Sequence, residues 1–311
     1  MSVNFFSPFT LIILIGLTGN SMTQAQTDSA VNKIAPIKNE FGRKGELFFY
    51  WGYNRSAYTK SDIHFKGDRY DFTITDIAAK DEQEPFSSTY YKPNTFTVPQ
   101  YNYRLGYYIN NETFISIGED HMKYSINKQT THLTGKIDSD DNNGNNIGDY
   151  NNTEILVGED GGEDAPSVID SLKRGFVSEF EHCDGLNDVT IEIGRIEQVW
   201  ISKNSKHGLG VLGSIGGGLE IPDTHADVLG YFPKHDTGGK TYHLAGYSCS
   251  AVIGLEFTFY KNFFLQTRLK GGYINMPDIN TTADGGKASQ HFNFVESMTV
   301  AGYSYVFAKK K

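Results

Sequence analysis

The chain has 311 residues, 28 Lys and Arg against 37 Asp and Glu for a net charge of −9, and two cysteines. That balance excludes the basic surface of a nucleic-acid-binding protein, and two cysteines exclude a disulfide-stapled scaffold; Cys183 and Cys249 read as free small residues. Mean hydropathy is −0.42, and past the N-terminus no stretch approaches the roughly 18 apolar residues that a transmembrane helix needs. A membrane β-barrel escapes that test because half of each strand faces the lumen and is polar. The 19 Tyr and 21 Phe suit interface girdles, and the 33 Gly suit the crowded inner wall of a narrow barrel.

In chain order, residues 9–17 (FTLIILIGL) form a short apolar run, followed by Thr23-Gln24-Ala25 as a small-residue cleavage site. This predicts a signal peptide over residues 1–25, although no Lys or Arg precedes the run. Residues 26–44 read as a periplasmic segment leading into a first strand over 45–58. In the second strand, 96–109, Tyr101, Tyr103, Leu105 and Tyr107 share one face and Asn102, Arg104 and Gly106 the other. Alternation of period two is the mark of a strand with one polar and one apolar side. A third strand is predicted over 113–126, with Glu119 and Lys123 placed among the polar-face charges.

Residues 138–164 hold nine acidic residues and no Lys or Arg, so this one segment supplies the whole charge excess. Its core, DSDDNNGNNIGDYNN, suggests calcium, but placing Gly144 at the fixed glycine of an EF-hand loop puts Ser139 first and Tyr150 last, where a carboxylate is required. The segment therefore reads as a solvated, disordered-like outer loop. In the fourth strand, 188–202, the apolar phase of Ile191 and Ile193 passes into Arg195 and Glu197, which predicts a bulge at Gly194. Strands over 208–221, 243–260, 263–276 and 288–307 complete a set of eight. In FFLQTRLKGGYINM, Gln266, Arg268 and Lys270 alternate with Leu265, Thr267 and Leu269.

The polar faces are rich in glycine and serine with sparse, mixed charge, unlike the densely charged outside of a soluble sandwich. A filled lumen requires that pattern, because unpaired charge there is costly. Pairing Phe259 with Phe263 sets Glu256 opposite Gln266 and diagonal to Arg268, while Glu296 shares the phase from strand eight. The predicted lumen network is therefore Glu256, Arg268, Lys270 and Glu296. Connections alternate between tight (110–112, 203–207, 260–262) and long (59–95, 127–187, 222–242, 277–287). The expected fold is all-β: an antiparallel transmembrane barrel of eight strands over residues 45–307, with short periplasmic turns and long extracellular loops.

The last strand ends Ala301, Tyr303, Tyr305, Phe307, followed by the basic tail 308–311. This ending resembles the C-terminal signature of Gram-negative outer-membrane proteins. With the strand and loop pattern, the chain is similar to the small eight-stranded class that includes the outer-membrane protein A transmembrane domain, the lipid A palmitoyltransferase and the lipid A deacylase. The resemblance implies the cell outer membrane, contact with its lipids and lipopolysaccharide, and assembly by the barrel-assembly machinery, with the chain expected to be a monomer that needs no cofactor or metal.

Two constellations are candidates for chemistry. His121 and His182, on the neighbouring strands three and four, are expected to meet near the outer rim with Glu119, Glu181 and Asp184 as partners, and His64 after strand one is a further rim candidate; such a cluster would be a hydrogen-bonded rim, a metal site or an oriented base. Ser289 and His291 lie two apart on one outward face near the extracellular end of strand eight, with Asp278 or Asp284 as the nearby acid. The first functional reading is a non-enzymatic barrel for surface binding or envelope integrity; the second is a lipid A or phospholipid acyl-chain enzyme.

Overall fold

A computed structural model describes residues 41–139, 146–158, 176–183, 185–229, 242–283 and 285–306. The expected signal peptide, most of residues 26–44, Asp184, Asp284, Phe307 and the basic tail lie outside the described residues. Sixteen strands are present among them: β1 (Glu46–Tyr58), β2 (Ser61–Gly67), β3 (Tyr70–Ile77), β4 (Ala79–Lys80), β5 (Tyr101–Tyr108), β6 (Thr113–Met122), β7 (Ser125–Ile126), β8 (Gln129–Ile137), β9 (Gly148–Val157), β10 (Val177–Glu181), β11 (Leu186–Ile201), β12 (His207–Pro222), β13 (His225–Val228), β14 (Gly246–Phe259), β15 (Phe263–Asn280) and β16 (Lys287–Val306).

Eight of these, in the order β1-β5-β6-β11-β12-β14-β15-β16, pair antiparallel, and β16 returns to β1 with Glu46 opposite Val306 and Tyr58 opposite Phe294. The cylinder is closed, so none of its strands leaves an unpaired edge within the ladder. These are the eight strands expected from the alternation, with bounds shifted by a few residues. Along β15, Leu265 and Leu269 are 47% and 46% exposed while Gln266, Arg268 and Lys270 are 4%, 2% and 0%. The apolar face looks out and the charged face looks in. The rule holds around the wall, where Leu105, Ile117, Ile191, Ile215, Ile253 and Val295 all lie outward.

The expected bulge at Gly194 is absent. β11 alternates without interruption through that residue, so Arg195 and Glu197 face outward and Ile196 points into the lumen. The register shift falls instead between Gln198 and Trp200, near the short-turn end. Gly194 is demanded by a close approach: a Cβ there would lie 2.3 Å from the Phe114 ring. Arg195 bonds Glu197 and lies 3.9 Å from Glu112, which keeps the outward charges together at the lower edge of the wall.

The long connections are not plain loops. The distal end of β16 pairs with β2, which continues to β3, β8 and β9, and a second sheet runs β13-β10-β7-β4. Phe65 of β2 meets Phe180 of β10 edge to face at 5.4 Å, and Ile63, Phe72, Ile74, Leu133, Val157 and Val228 complete one buried apolar cluster. This is a folded cap beyond the long-connection end of the barrel. Part of the acidic segment belongs to it: residues 148–157 form β9 against β8, with Ile155 and Val157 buried, which corrects the expectation of a disordered-like stretch there. Residues 140–145 and 159–164 lie outside the described residues.

Candidate functional site: the lumen network and the cap

Toward the short-turn end an aromatic layer fills the lumen. Phe48, Phe114 and Phe264 lie opposite Gly106, Gly194 and Gly302 on neighbouring strands, and the rings fill the space a side chain would take. Tyr108, Ile196, Leu212, Val252 and Val300 pack with them. The layer is filled by side chains, as an eight-stranded barrel allows, and Arg43 donates to the Tyr108 hydroxyl at 2.6 Å.

Above it sits the charge network. Arg268 donates to Glu192 at 2.6 Å and to the Tyr50 hydroxyl at 2.7 Å. Arg104 approaches the same Glu192 at 3.0 Å and donates to Tyr50 at 3.1 Å and Thr190 at 2.7 Å. Lys270 donates to Asp120 at 2.7 Å and to Asp188 at 2.6 Å. All of these side chains are buried. A charge taken out of water survives only when paired and hydrogen-bonded, so the network is a set of mutual requirements crossing the lumen.

The four expected members are all inside, but their partners differ from the expected ones. The register is as anticipated, with Glu256 opposite Gln266 and Gly254 opposite Arg268. Glu256, however, takes Arg43, from just before β1, and accepts from Gln266 at 2.8 Å. Glu296 lies opposite Lys270 in the ladder, yet neither of its oxygens has a hydrogen-bond partner among the described residues. The anchors that the sequence reading missed are Asp120, Asp188 and Glu192. Their signal was present: Asp120 alternates with Ile115 and Ile117 and so points inward, whereas Glu119 shares the outward phase. Glu119 accepts from the Tyr103 hydroxyl at 2.8 Å and the Tyr101 hydroxyl at 3.4 Å, which corrects its expected place on the polar face.

The three histidines do not converge. His121 stacks on Tyr101 at 4.6 Å and bonds Asn187 through Nδ1 at 2.7 Å. His182 is buried in the cap against Tyr124 and Phe180, with Nδ1 2.9 Å from Thr224 Oγ1. Burial holds its ring neutral, pushing its pKa down to about 3, with His225 adding to the effect. His64, on the outer face of β2, bonds Asp71 at 2.8 Å and draws that carboxyl below its ordinary value. The cap brings together a different group: Glu179, Glu181 and His225 place ligand atoms within 4.8 Å of one another, close enough to share a metal ion. Only Glu181 belonged to the expected rim cluster. Cys183, two residues on, has its thiol pushed up by burial and by the Glu181 charge, and both cysteines are free.

Ser289 and His291 do share the outward side of β16. His291 lies opposite Asn275 and tilts toward Tyr273 at 6.1 Å, while Ser289 lies opposite His64. Asp278 does not serve them. It bonds His243 and Lys287, both at 2.8 Å, which hold its carboxyl low.

A closed ladder of eight strands, an apolar outer wall, paired charges within and connections that are tight at one end and long at the other leave one physical solution, a barrel in lipid. The fold is that of a small outer-membrane β-barrel. No protein-family model and no characterised protein sequence matches the chain. Among solved structures it is similar to the outer membrane protein OprG from Pseudomonas aeruginosa, with 8% identity and a TM-score of 0.36 over 85% of this chain and 98% of that one. It is similar to the outer membrane protein AlkL in DMPC bilayers, with 6% identity and a TM-score of 0.37 over 94% of this chain and 99% of that one. A third is Ail, the attachment invasion locus protein of Yersinia pestis, with 12% identity and a TM-score of 0.30 over 84% and 99%. The fold assignment rests on this chain's own closed register and apolar belt.

Proposed function

We propose that this chain is a non-conducting barrel of the outer membrane that carries a folded cap at the cell surface for binding, without chemistry of its own. The observation behind this reading is that the path through the barrel is obstructed at successive levels: the Phe48, Phe114 and Phe264 layer, the Arg104, Arg268 and Lys270 network, and the apolar core of the cap. A pore would need its charges lining water. Here Arg104, Arg268 and Lys270 are paired with Glu192, Asp120 and Asp188. On this reading the partners are outer-leaflet lipids and lipopolysaccharide, and the assembly machinery reads the Tyr303 and Tyr305 strand end. The chain works as a monomer.

The enzyme reading has one feature in its favour, since His64, already bonded to Asp71, lies opposite Ser289. Height counts against it. Val295 is the uppermost apolar outward residue of β16, and Ser289, six residues earlier in the chain at about 3.4 Å each and tilted about 40°, lies roughly 15 Å above the apolar belt. Lipid ester bonds lie at the edge of that belt.

The test pairs two measurements. Purified barrel in a planar bilayer should give no conductance steps, and lipid A mass spectra of a deletion strain and its parent should coincide. Stable unitary conductance would overturn the closed lumen, and a lost acyl-chain modification would make the enzyme reading the correct one.

A further inference from the structure

Between the cap and β5, residues 84–98 (EPFSSTYYKPNTFTV) contain two charged residues, Glu84 and Lys92, and four aromatics. The segment is tied to the outer wall of the barrel. The Tyr53 hydroxyl donates to the carbonyls of Tyr90 and, at 3.2 Å, of Phe96, while Arg55 donates to the Tyr90 hydroxyl. Tyr90 in turn donates to the Glu84 carbonyl at 2.7 Å, and Ser87 caps a short 3-10 turn over Ser88–Tyr90. Trp51 packs on Phe96 at 4.9 Å and Tyr53 on Tyr90 at 5.0 Å.

What the strap covers fixes its height. Trp51 and Tyr53 lie opposite Tyr103 and Tyr101, and Trp51 and Tyr101 stack at 4.8 Å as part of an aromatic girdle. Below them on the same face Phe49 is exposed apolar wall, and above them Arg55 is the first charged residue of that face. The strap therefore occupies the upper edge of the apolar belt, where lipid would otherwise touch Trp51 and Tyr53. Large apolar side chains stand on its exposed side, Phe86 at 84% exposed, Tyr91 70%, Val98 44% and Phe96 37%, beside the exposed polar residues Ser87, Lys92, Asn94 and Thr97.

Phe86 packs one side on Tyr90 at 5.3 Å and is otherwise open; a soluble surface rarely leaves several aromatics this exposed on one short segment, whereas the membrane interface favours amphipathic rings at this level. Through the Phe96–Trp51 contact these exposed side chains adjoin the belt beneath, and that continuity selects lipid as the occupant. We propose that residues 84–98 are a membrane-interface strap, with Phe86 and Tyr91 at the boundary between the outer-leaflet headgroups and acyl chains and Lys92 reaching the lipid phosphates. A long cationic side chain suits that last role, since it keeps its stem in apolar surroundings and its head at the polar level.

The inference rests on the barrel being embedded in lipid, and the test reports on the two separately. In a Cys183→Ala, Cys249→Ser background, single cysteines Phe86→Cys, Tyr91→Cys, Leu255→Cys and Lys66→Cys carry an environment-sensitive fluorophore. Each is folded into liposomes, and folding is checked by heat-modifiable gel migration. Liposomes contain phosphatidylcholine with a nitroxide either near the headgroup or deep in the acyl chain. Leu255 lies on the belt, so its probe should be quenched by the deep nitroxide; Lys66, on the outer face of β2, by neither. Probes at 86 and 91 should be quenched by the shallow nitroxide about twofold more than by the deep one, as expected for interfacial aromatics. If 86 and 91 behave like 66 while 255 is quenched, the strap faces water or a protein partner and the proposal is wrong. If 255 is also unquenched, the embedded barrel itself fails.

Discussion

Arg268→Leu tests the lumen network at the cation that lies nearest Glu192. The substitution removes the bond to Glu192 at 2.6 Å and the bond to Tyr50 at 2.7 Å. Breaking a buried ion pair from one side costs about 3–5 kcal/mol, because the surviving charge stays buried without its partner. Two effects adjust that figure. Glu192 keeps Arg104 at 3.0 Å and accepts from Ser214 at 2.9 Å, which reduces the penalty. Against this, the mid-lumen carboxylates Asp120, Asp188, Glu192, Glu220 and Glu296 lose one of the three cations Arg104, Arg268 and Lys270. The contact with Arg104 dominates because Coulomb energy falls with separation, so the expected loss is about 3 kcal/mol. Urea unfolding in lipid vesicles, followed by the heat-modifiable gel shift, reads it. The double variant Glu192→Leu, Arg268→Leu removes both partners and should be less destabilised than the two single losses added together, by about 1–2 kcal/mol. Additive losses would refute the pairing and return Arg268 to a packing role.

Other outcomes follow from the same geometry. Leu269→Arg puts a charge on the outward wall and should cost about 2–4 kcal/mol near the midplane, read by the same unfolding assay, while Lys66→Leu on the water-facing cap should cost almost nothing. Deleting 140–145 should be neutral, whereas deleting 148–157 removes Ile155 and Val157 from the cap core and exposes the β8 edge; the barrel should keep its gel shift while the cap becomes protease-sensitive. His182 is held neutral with its pKa pushed down to about 3, below the roughly 6.5 of an unfolded histidine. The unfolded cap therefore binds the extra proton first: the stabilisation is complete above about pH 6.5 and lost as pH falls toward 3, by up to about 1.4 kcal/mol per pH unit. His182→Phe should flatten that slope in proteolysis of the cap between pH 6 and 4 (about two units); an unchanged slope would exclude His182 as its source.

The aromatic plug explains a residue the sequence reading misjudged. Gly194 sits where the apolar phase meets Arg195, and a bulge would have restored the alternation. The structure keeps the alternation and accepts two outward charges, because Arg195 and Glu197 lie at the lower edge of the wall and bond each other. Glycine is there for Phe114. The same sequence pattern fits both solutions, and only the position of the strand in the barrel separates them.

What the sequence determined by itself was the wall: eight strands, their order, their tight turns and the inward face of Arg268 and Lys270. Those features follow from a two-residue period, which is a local property of the backbone and is imposed at every position by the choice between lipid and lumen. Tertiary structure decided who meets whom across the lumen. Arg268 finds Glu192 across 76 residues of chain and Lys270 finds Asp120 across 150, and phase alone says that a side chain points inward without saying which side of the barrel it reaches. Closure and strand stagger set that angle. The cap was hidden for a related reason: β4 and β7 are two residues long and β13 four, too short to show a period, and they hold as strands only because the packed core beneath them supplies the stabilisation that local sequence does not.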